Sequence, residues 1–449
     1  MAGRARRAVR KGLVASVLVV VSSAVLATTG LLNPMASRAL APSAVGEFHP
    51  VPVTRVFDSR GFSPAKSVTT SGSSFDVNLA GAGAVLPDDP SLMLGIIANV
   101  TVTGASVDGY LTTGPAGQAR PDTSTVNFVD DSAVANLALL RPDSAGFVTL
   151  TLVANSGSGS ASVIIDVFGY LSSATGERGS RFVTTPATRL LDTRQTSEPI
   201  GGGGWATLPI RGVDGFSPTI IDAVPDDPSV DAVALTVTVD NHRPTSTETW
   251  MSVVPERSST QPNTSNVNLE ADSTRANLVI VPIGVDGSVR IFNAKGSADV
   301  IVDLVGYFRT GADGRSLGGR IIPIARPLRI ADSRPVPLAA GQTDQWDLAP
   351  FIDSLDASGR RIAAVDALFT NLTATRLTRT ATGIPVSSYL TVYPTGAPRP
   401  GTSNVNADEG VDTANAAVTR HAGARSLSLY NAFGSLAYLI DVFGIILGD

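Results

Sequence analysis

The chain has no cysteine among its 449 residues. That excludes disulfides, thiolate metal sites, cysteine nucleophiles and an N-terminal lipid-modified cysteine. A secreted chain without disulfides must rely on core burial for its stability. Histidine is almost as scarce: His49, His242 and His421 are the only three. There is no HExxH, no GxSxG and no paired-histidine metal spacing, so the common zinc-hydrolase and serine-hydrolase signatures are missing. No D-x-D-x-D-G run suggests a calcium loop, and no cofactor is expected. Lysine is limited to Lys11, Lys66 and Lys295. No stretch shows sustained helical periodicity, although a short helix or turn fits near Pro350 to Leu355. The formal net charge is −5. Removing residues 1–39 takes away six basic and no acidic residues, leaving about −11. Such a surface repels phosphate, so nucleic acid is not an expected partner.

What the chain does have is a threefold internal repeat. Arg55, Asp58 and Arg60 stand in RVFDSR; Arg189, Asp192 and Arg194 in RLLDTR; Arg329, Asp332 and Arg334 in RIADSR. Each unit closes on a related phrase: DVFGY from Asp166, DLVGY from Asp303 and DVFGI from Asp441. The two spacings between the first aspartates are 134 and 140 residues, far longer than the ~20–50 residues of a solenoid repeat. Units of that size can each bury a core of their own, so beads on a string are expected.

Between the entrance and exit phrases run three recurrent asparagine positions. The last residue of S-[TN]-V-N is Asn127, Asn268 or Asn406. An Ala-Asn pair follows nine residues later, at Asn136, Asn277 and Asn415, and then come Asn155, Asn293 and Asn431. Around them the pattern has period two. Val100 and Val102 alternate with Asn99, Thr101 and Thr103, and Leu235, Val237 and Val239 alternate with Thr236 and Thr238. That is the signature of half-buried strands. The closing runs such as SVIIDVFGY are apolar on both parities and read as strands covered on both faces. About eight short runs per unit, broken by Gly, Pro, Asp and Asn, predict an all-β fold of three tandem β-sandwich or barrel-like domains.

The expected division is a signal segment at 1–45, then β-domains at 46–175, 176–313 and 314–449. The polar, glycine-bearing stretches Ser172–Arg181 and Arg309–Arg320 are the linkers. Arg4, Arg6, Arg7, Arg10 and Lys11 precede an uncharged apolar run from Gly12 to Ser37. This is the order of a secretory signal, with a cleavage site after Ala39 or Ala41; an uncleaved signal anchor is the alternative.

The ordered series RxxD[ST]R, [NT][VL]T, SNxN, AN, N and DVxGYF resembles a tandem repeat module of secreted and envelope-associated actinobacterial proteins. In that group the module stands alone, in tandem, or appended to cell-wall and polysaccharide hydrolases. The resemblance spans nearly all of residues 48–449. It implies export, an extracellular accessory role and no defined catalytic activity. The chain departs from the series at Thr125, where the other copies have Asn266 and Asn404. It departs again at Thr236, where they have Asn99 and Asn371, and at Ile445, which replaces the final tyrosine.

Three sets of residues are candidates for function. An Asp flanked by two Arg can grip a sugar or a carboxylate. The competing reading is a structural clasp in which Asp58, Asp192 and Asp332 bind their own turns. In that reading Asp166, Asp303 and Asp441, inside apolar strands, pair with the motif arginines Arg55, Arg189 and Arg329 or Arg60, Arg194 and Arg334. The asparagines (127, 136, 155; 268, 277, 293; 406, 415, 431) either line a polar groove for sugar hydroxyls or satisfy turns. Tyr110, Trp250 and Tyr389 occupy one equivalent position and suit ring stacking, whereas Trp205, Trp250 and Trp346 taken together do not repeat and read as core or rim. The function expected is that of a non-catalytic, exported, envelope-associated array binding cell-wall glycan or polysaccharide, adhesive through avidity. The alternatives are a structural spacer or surface-layer component with protein partners only, and a carbohydrate-active hydrolase. Membrane contact is expected only through an uncleaved signal segment.

Overall fold

The computed structural model describes residues 45–61, 66–173, 178–215, 222–255, 260–311, 316–356, 365–379, 386–421 and 423–448. The signal segment expected at 1–45 lies, apart from Val45, outside them. Among the described residues no helix is long and apolar enough to cross a membrane. Strands dominate, and the longest helix, Ala349–Asp356, falls where a helix or turn was expected.

Each repeat builds eight main strands into two antiparallel sheets of four. In repeat 1 the first sheet runs Gly46–Asp58, Ser158–Ser173, Gly95–Thr103, Ala133–Leu140. The second runs Ser73–Asn78, Phe147–Ala154, Gly109–Pro115, Val126–Phe128. In chain order these are strands one-eight-three-six and two-seven-four-five, the jelly-roll arrangement of two Greek keys. Repeat 2 reproduces it from Arg181–Asp192 to Ser297–Arg309. Repeat 3 does so from Ile321–Asp332 to Ser435–Leu447. The sandwich expected from the alternation is therefore present three times.

The repeats are not beads on a string. Residues Ala39–Asp449 form one compact unit. Each repeat has a core between its own two sheets, centred on residues such as Leu111 and Ile165, Met251 and Val302, or Leu390 and Ile440. A fourth core is shared: Phe48, Leu137 and Phe168 of repeat 1 meet Phe182, Leu278 and Phe308 of repeat 2 and Phe369, Ala416 and Ile446 of repeat 3. The first sheet of every repeat is thus sandwiched between its own core and the common one. This is why the closing strands are apolar on both parities. At roughly 1.5–3 kcal/mol for each large apolar side chain buried, the shared core is a major term.

The glycine of each closing phrase serves this packing. A Cβ at Gly169 would lie 2.3 Å from the Phe48 ring, and one at Gly306 would lie 2.4 Å from the Phe182 ring. The missing side chain lets an aromatic from the first strand lie flat on its neighbour's backbone. Phe48 and Phe182 then both reach Phe308, at 4.4 and 4.9 Å between ring centroids.

Polar contacts close the three repeats into a ring. Asn136 Oδ1 accepts from the Ala416 amide at 2.8 Å, Asn277 Oδ1 from the Leu137 amide at 3.2 Å, and Asn415 Oδ1 from the Leu278 amide at 3.1 Å. Each asparagine therefore ties its own repeat to the next in cyclic order. Their Nδ2 groups donate to Thr125, Asn266 and Asn404 carbonyls at 2.6–2.7 Å within the same repeat. A second set is incomplete. Asn99 donates to the Ser265 carbonyl and Asn371 to the Ser124 carbonyl, at 2.6 and 2.7 Å, but the third equivalent residue is Thr236, which is too short to do so.

The first strands add a buried ion triad. Glu47, Arg181 and Arg320 each directly precede the first shared-core residue of their repeat, and they are 4%, 5% and 8% exposed. Glu47 Oε1 accepts from Arg181 Nε at 3.1 Å and Arg320 Nε at 3.2 Å, and Oε2 accepts from the Gly179 amide at 3.1 Å. One repeat supplies the carboxylate and the other two supply the cations.

Candidate functional site

The Arg-Asp-Arg entrance and the aspartate of the exit meet across two strands. Slips in register after Pro50, Thr184 and Pro323 set Arg55 opposite Asp166, Arg189 opposite Asp303 and Arg329 opposite Asp441. In each repeat the arginine Nε donates to that aspartate at 2.8–2.9 Å, and Nη2 completes a bidentate pair. Burial pushes the carboxyls of Asp166, Asp303 and Asp441 above the ordinary range, against the pull of their arginines. Asp58, Asp192 and Asp332 move the other way, held low mainly by hydrogen bonds from the Arg60, Arg194 and Arg334 side chains. All six carboxylates are thus committed to arginine. One entrance arginine, and another arginine three residues before the repeat-3 entrance, also reach across a seam. Arg189 donates to the Gly401 carbonyl at 3.1 Å and Arg326 to Asp122 at 3.2 Å.

The candidate asparagines separate into distinct groups. Asn136, Asn277 and Asn415 are buried at the junction of the repeats, with their amides engaged as described, so they line no open groove. Asn293 and Asn431 are fully buried. Asn293 accepts from Thr249 and donates to the Ile200 carbonyl; Asn431 accepts from Ser388 and donates to the Leu338 carbonyl. Their sequence equivalent, Asn155, is instead exposed. Asn127, Asn268 and Asn406 are half-buried on the outer face of the second sheet, directly opposite Tyr110, Trp250 and Tyr389 in strand register. This face is where a recurrent amide and a recurrent aromatic stand together. Asn127 Oδ1 and Asn268 Nδ2 have no hydrogen-bond partner in the protein.

Repeats 2 and 3 extend this face with further rings. In repeat 2, Phe292 lies between Trp205 and Trp250, with centroids 4.9 and 5.4 Å away. The Arg290 guanidinium sits 4.6 Å above Trp205. Trp205 looked unrelated to Trp250 because it lies on a different strand; only the register joins them. In repeat 3, Tyr389 contacts Tyr430 and Phe433, each at 6.3 Å. Arg399 lies 3.7 Å above Tyr430, and Phe433 is 56% exposed. Repeat 1 has hydroxyls instead: Ser74 and Thr151, at the positions of Trp205 and Phe292, hydrogen-bond at 2.8 Å. Trp346 points inward and donates to the Tyr438 hydroxyl.

Two recesses contain charged groups. A crevice between repeats 1 and 3, lined by Ser124, Arg141, Asn371 and Asp441, encloses about 30 Å³, room for a water or two rather than a sugar. A cleft of about 850 Å³ between repeats 2 and 3 is lined by Arg181, Thr184, Asp227, Arg309 and Asp366. These groups already have protein partners: Arg181 has Glu47, Arg309 has Asp227 at 2.6 Å, and Thr184 has Asp366 at 2.5 Å. Among the described residues no three His, Asp or Glu side chains cluster as metal ligands.

No family model and no curated protein matches the chain. Among solved structures, the triple jelly-roll protein of an archaeal virus turret assembly aligns over 90% of both chains at 12% identity and a TM-score of 0.18. A Sulfolobus turreted icosahedral virus structure aligns over 90% of this chain and 91% of its own at 10% identity and a TM-score of 0.18. A tandem CBM22 domain from Paenibacillus barcinonensis Xyn10C aligns over 59% of this chain and 100% of its own, at 8% identity and a TM-score of 0.17. Scores this low carry no functional argument; the jelly-roll assignment rests on the strand order itself.

Proposed function

We propose that the protein is an exported, non-catalytic component of the cell envelope that binds glycan or wall polymer through the outer faces of its second sheets. The carrying observation is the recurrent pairing of an aromatic ring with an asparagine there: Tyr110 with Asn127, Trp250 with Asn268 and Tyr389 with Asn406. A sugar ring has apolar faces and a polar rim, and an aromatic beside an amide complements both. The commitment of the recurrent carboxylates to arginine supports a non-catalytic role. Closure of the three repeats into one body makes the array rigid, so multivalent binding depends on a target whose spacing matches it.

Retention of the mature chain on insoluble cellulose, chitin and peptidoglycan tests the reading. The expected result is retention on at least one polymer. Failure on all three favours the second reading, a structural or surface-layer component with protein partners, which the closed ring of contacts also suits. Export is tested by N-terminal sequencing of the protein recovered outside the cell, which is expected to begin at Leu40 or Pro42.

A further inference from the structure

We infer that Arg120 and Arg399 are straps that close the outer faces of repeats 1 and 3, and that a bound sugar displaces them. This rests on the glycan-binding reading and adds a gate to it. The two arginines are equivalent. Each lies in an Arg-Pro step four residues before the serine of S-[TN]-V-N, in the loop joining strands four and five. Each turns back over the outer face of its own second sheet. In repeat 3 the Arg399 guanidinium lies 3.7 Å from the centre of the Tyr430 ring, on the surface a stacked sugar would take. In repeat 1, Arg120 Nη1 donates to the Ser71 carbonyl at 3.0 Å. A Cβ on Gly72 would lie 2.6 Å from that nitrogen, 2.9 Å from Thr151 Cγ2 and 3.5 Å from Val153 Cγ2. The guanidinium therefore lies along strand seven beside Tyr110, which stands opposite Val153. Burial agrees with this cover. Thr151, Val153 and Thr391 are 4%, 5% and 0% exposed, although they alternate with the core residues Leu150, Leu152, Leu390 and Val392 and so point outward.

Each strap has a fastened base and an exposed tip. In repeat 3 the base is held by Thr391, which donates to the Thr402 carbonyl at 2.7 Å, and by Arg189 of repeat 2, which donates to the Gly401 carbonyl at 3.1 Å. In repeat 1 it is held by Arg326 of repeat 3, which donates to the Arg120 carbonyl at 3.3 Å and to Asp122 at 3.2 Å. Residues 117–120 and 396–399, which carry the tips, are exposed. The contact under the Arg399 tip is a weak latch. A cation–π contact at an exposed site favours the closed form over the open one only about two- to fivefold. A sugar stacking in the same place can therefore displace it. Because such a ligand binds only the open fraction, the strap weakens apparent binding about three- to sixfold.

Two measurements on the full chain test this, one of them without any ligand. Tetranitromethane nitrates accessible tyrosine rings, and peptide mass spectrometry reads each site. Arg399→Ala should speed nitration of Tyr430 about three- to sixfold over the parent, with the buried Tyr307 as internal reference. The parent, Arg120→Ala, Arg399→Ala and the double variant are then compared for retention on insoluble cellulose, chitin and peptidoglycan. Each single variant should be retained more strongly than the parent, and the double variant most strongly, by about threefold or more. Both arginines are exposed, and an unchanged melting temperature verifies that each variant is folded. Nitration of Tyr430 indifferent to Arg399→Ala overturns the strap in repeat 3. Retention of the variants equal to or weaker than that of the parent overturns the gate while sparing the glycan reading; the weaker case makes the arginines part of the binding surface. No retention of the parent or the double variant on any of the three polymers overturns the glycan reading and the sugar as displacing ligand, whereas faster nitration of Tyr430 in the same variants still upholds the strap.

Discussion

Replacing Glu47 by Gln removes the carboxylate that holds two arginines at the junction of the repeats. Gln is nearly isosteric, so the change is one of charge and hydrogen bonding rather than volume. Arg181 and Arg320, 5% and 8% exposed, would then be two buried guanidinium ions facing each other, and the Gln amide nitrogen would add a donor where an acceptor is needed. Breaking a buried ion pair costs about 3–5 kcal/mol. With two cations dependent on one anion, the upper end, about 5 kcal/mol, is expected. Unfolding entropy of about 2.1 cal/mol/K per residue over roughly 400 residues converts that to a melting temperature lower by about 6 °C. Calorimetry and urea titration measure it. The triple variant Glu47→Met, Arg181→Met, Arg320→Met separates the cost of an orphaned charge from the worth of the triad. Apolar replacement of a whole buried triad is near neutral or stabilising, so the triple variant should melt well above Glu47→Gln. A Glu47→Gln protein melting within about 1 °C of the parent, or a triple variant less stable than the single one, would refute the reasoning.

Thr236→Asn should complete the second cyclic set by reaching the Ser403 carbonyl, as Asn99 and Asn371 reach theirs; a gain of about 1 kcal/mol in denaturant unfolding is expected for the added hydrogen bond. Gly306→Ala places a methyl 2.4 Å from the Phe182 ring, and overpacking of about 1–3 kcal/mol should appear as a lower urea midpoint. Asn277→Ala leaves the Leu137 amide without its acceptor; a cost of about 1–3 kcal/mol and faster hydrogen exchange at Leu137 are expected. His421 is buried, and burial pushes its imidazole below the ordinary range. The unfolded chain therefore binds the proton first, so stability is retained above about pH 6.5 and falls as the pH drops through that value. His421→Phe should flatten the unfolding free energy between pH 7.5 and 5 relative to the parent.

Much of the single repeat was legible in the sequence. Alternation in Val100–Thr103 and Leu235–Val239 marked strands, because a half-buried strand has no other economical pattern. The doubly apolar SVIIDVFGY marked a strand covered on both sides. What could not be read was the second cover. Phe48, Phe168 and Leu137 look like ordinary core residues until three repeats are brought together, and an asparagine whose donor lies 280 residues away, as the Ala416 amide does from Asn136, resembles a turn residue. The ion triad was hidden for a different reason. Comparing copies highlights positions that are the same, whereas Glu47, Arg181 and Arg320 work because they differ. The ring pair of Trp205 and Trp250 was missed because adjacency across a sheet depends on register, which spacing along the chain does not report.

The Glu-Arg-Arg centre has a consequence for how the body can be assembled. Three separate identical subunits closing on a threefold axis would have to place the same residue at that position three times. Three glutamates or three arginines would repel, and no single residue could supply one anion and two cations. Only when the three units are joined in one chain can each vary alone. Concatenation also fixes the stoichiometry, so the closed body does not fall apart on dilution as a trimer of free subunits would. The linkage between repeats thus frees one axial position from symmetry, and the same freedom lets two outer faces carry additional aromatic rings at positions where the third keeps hydroxyls.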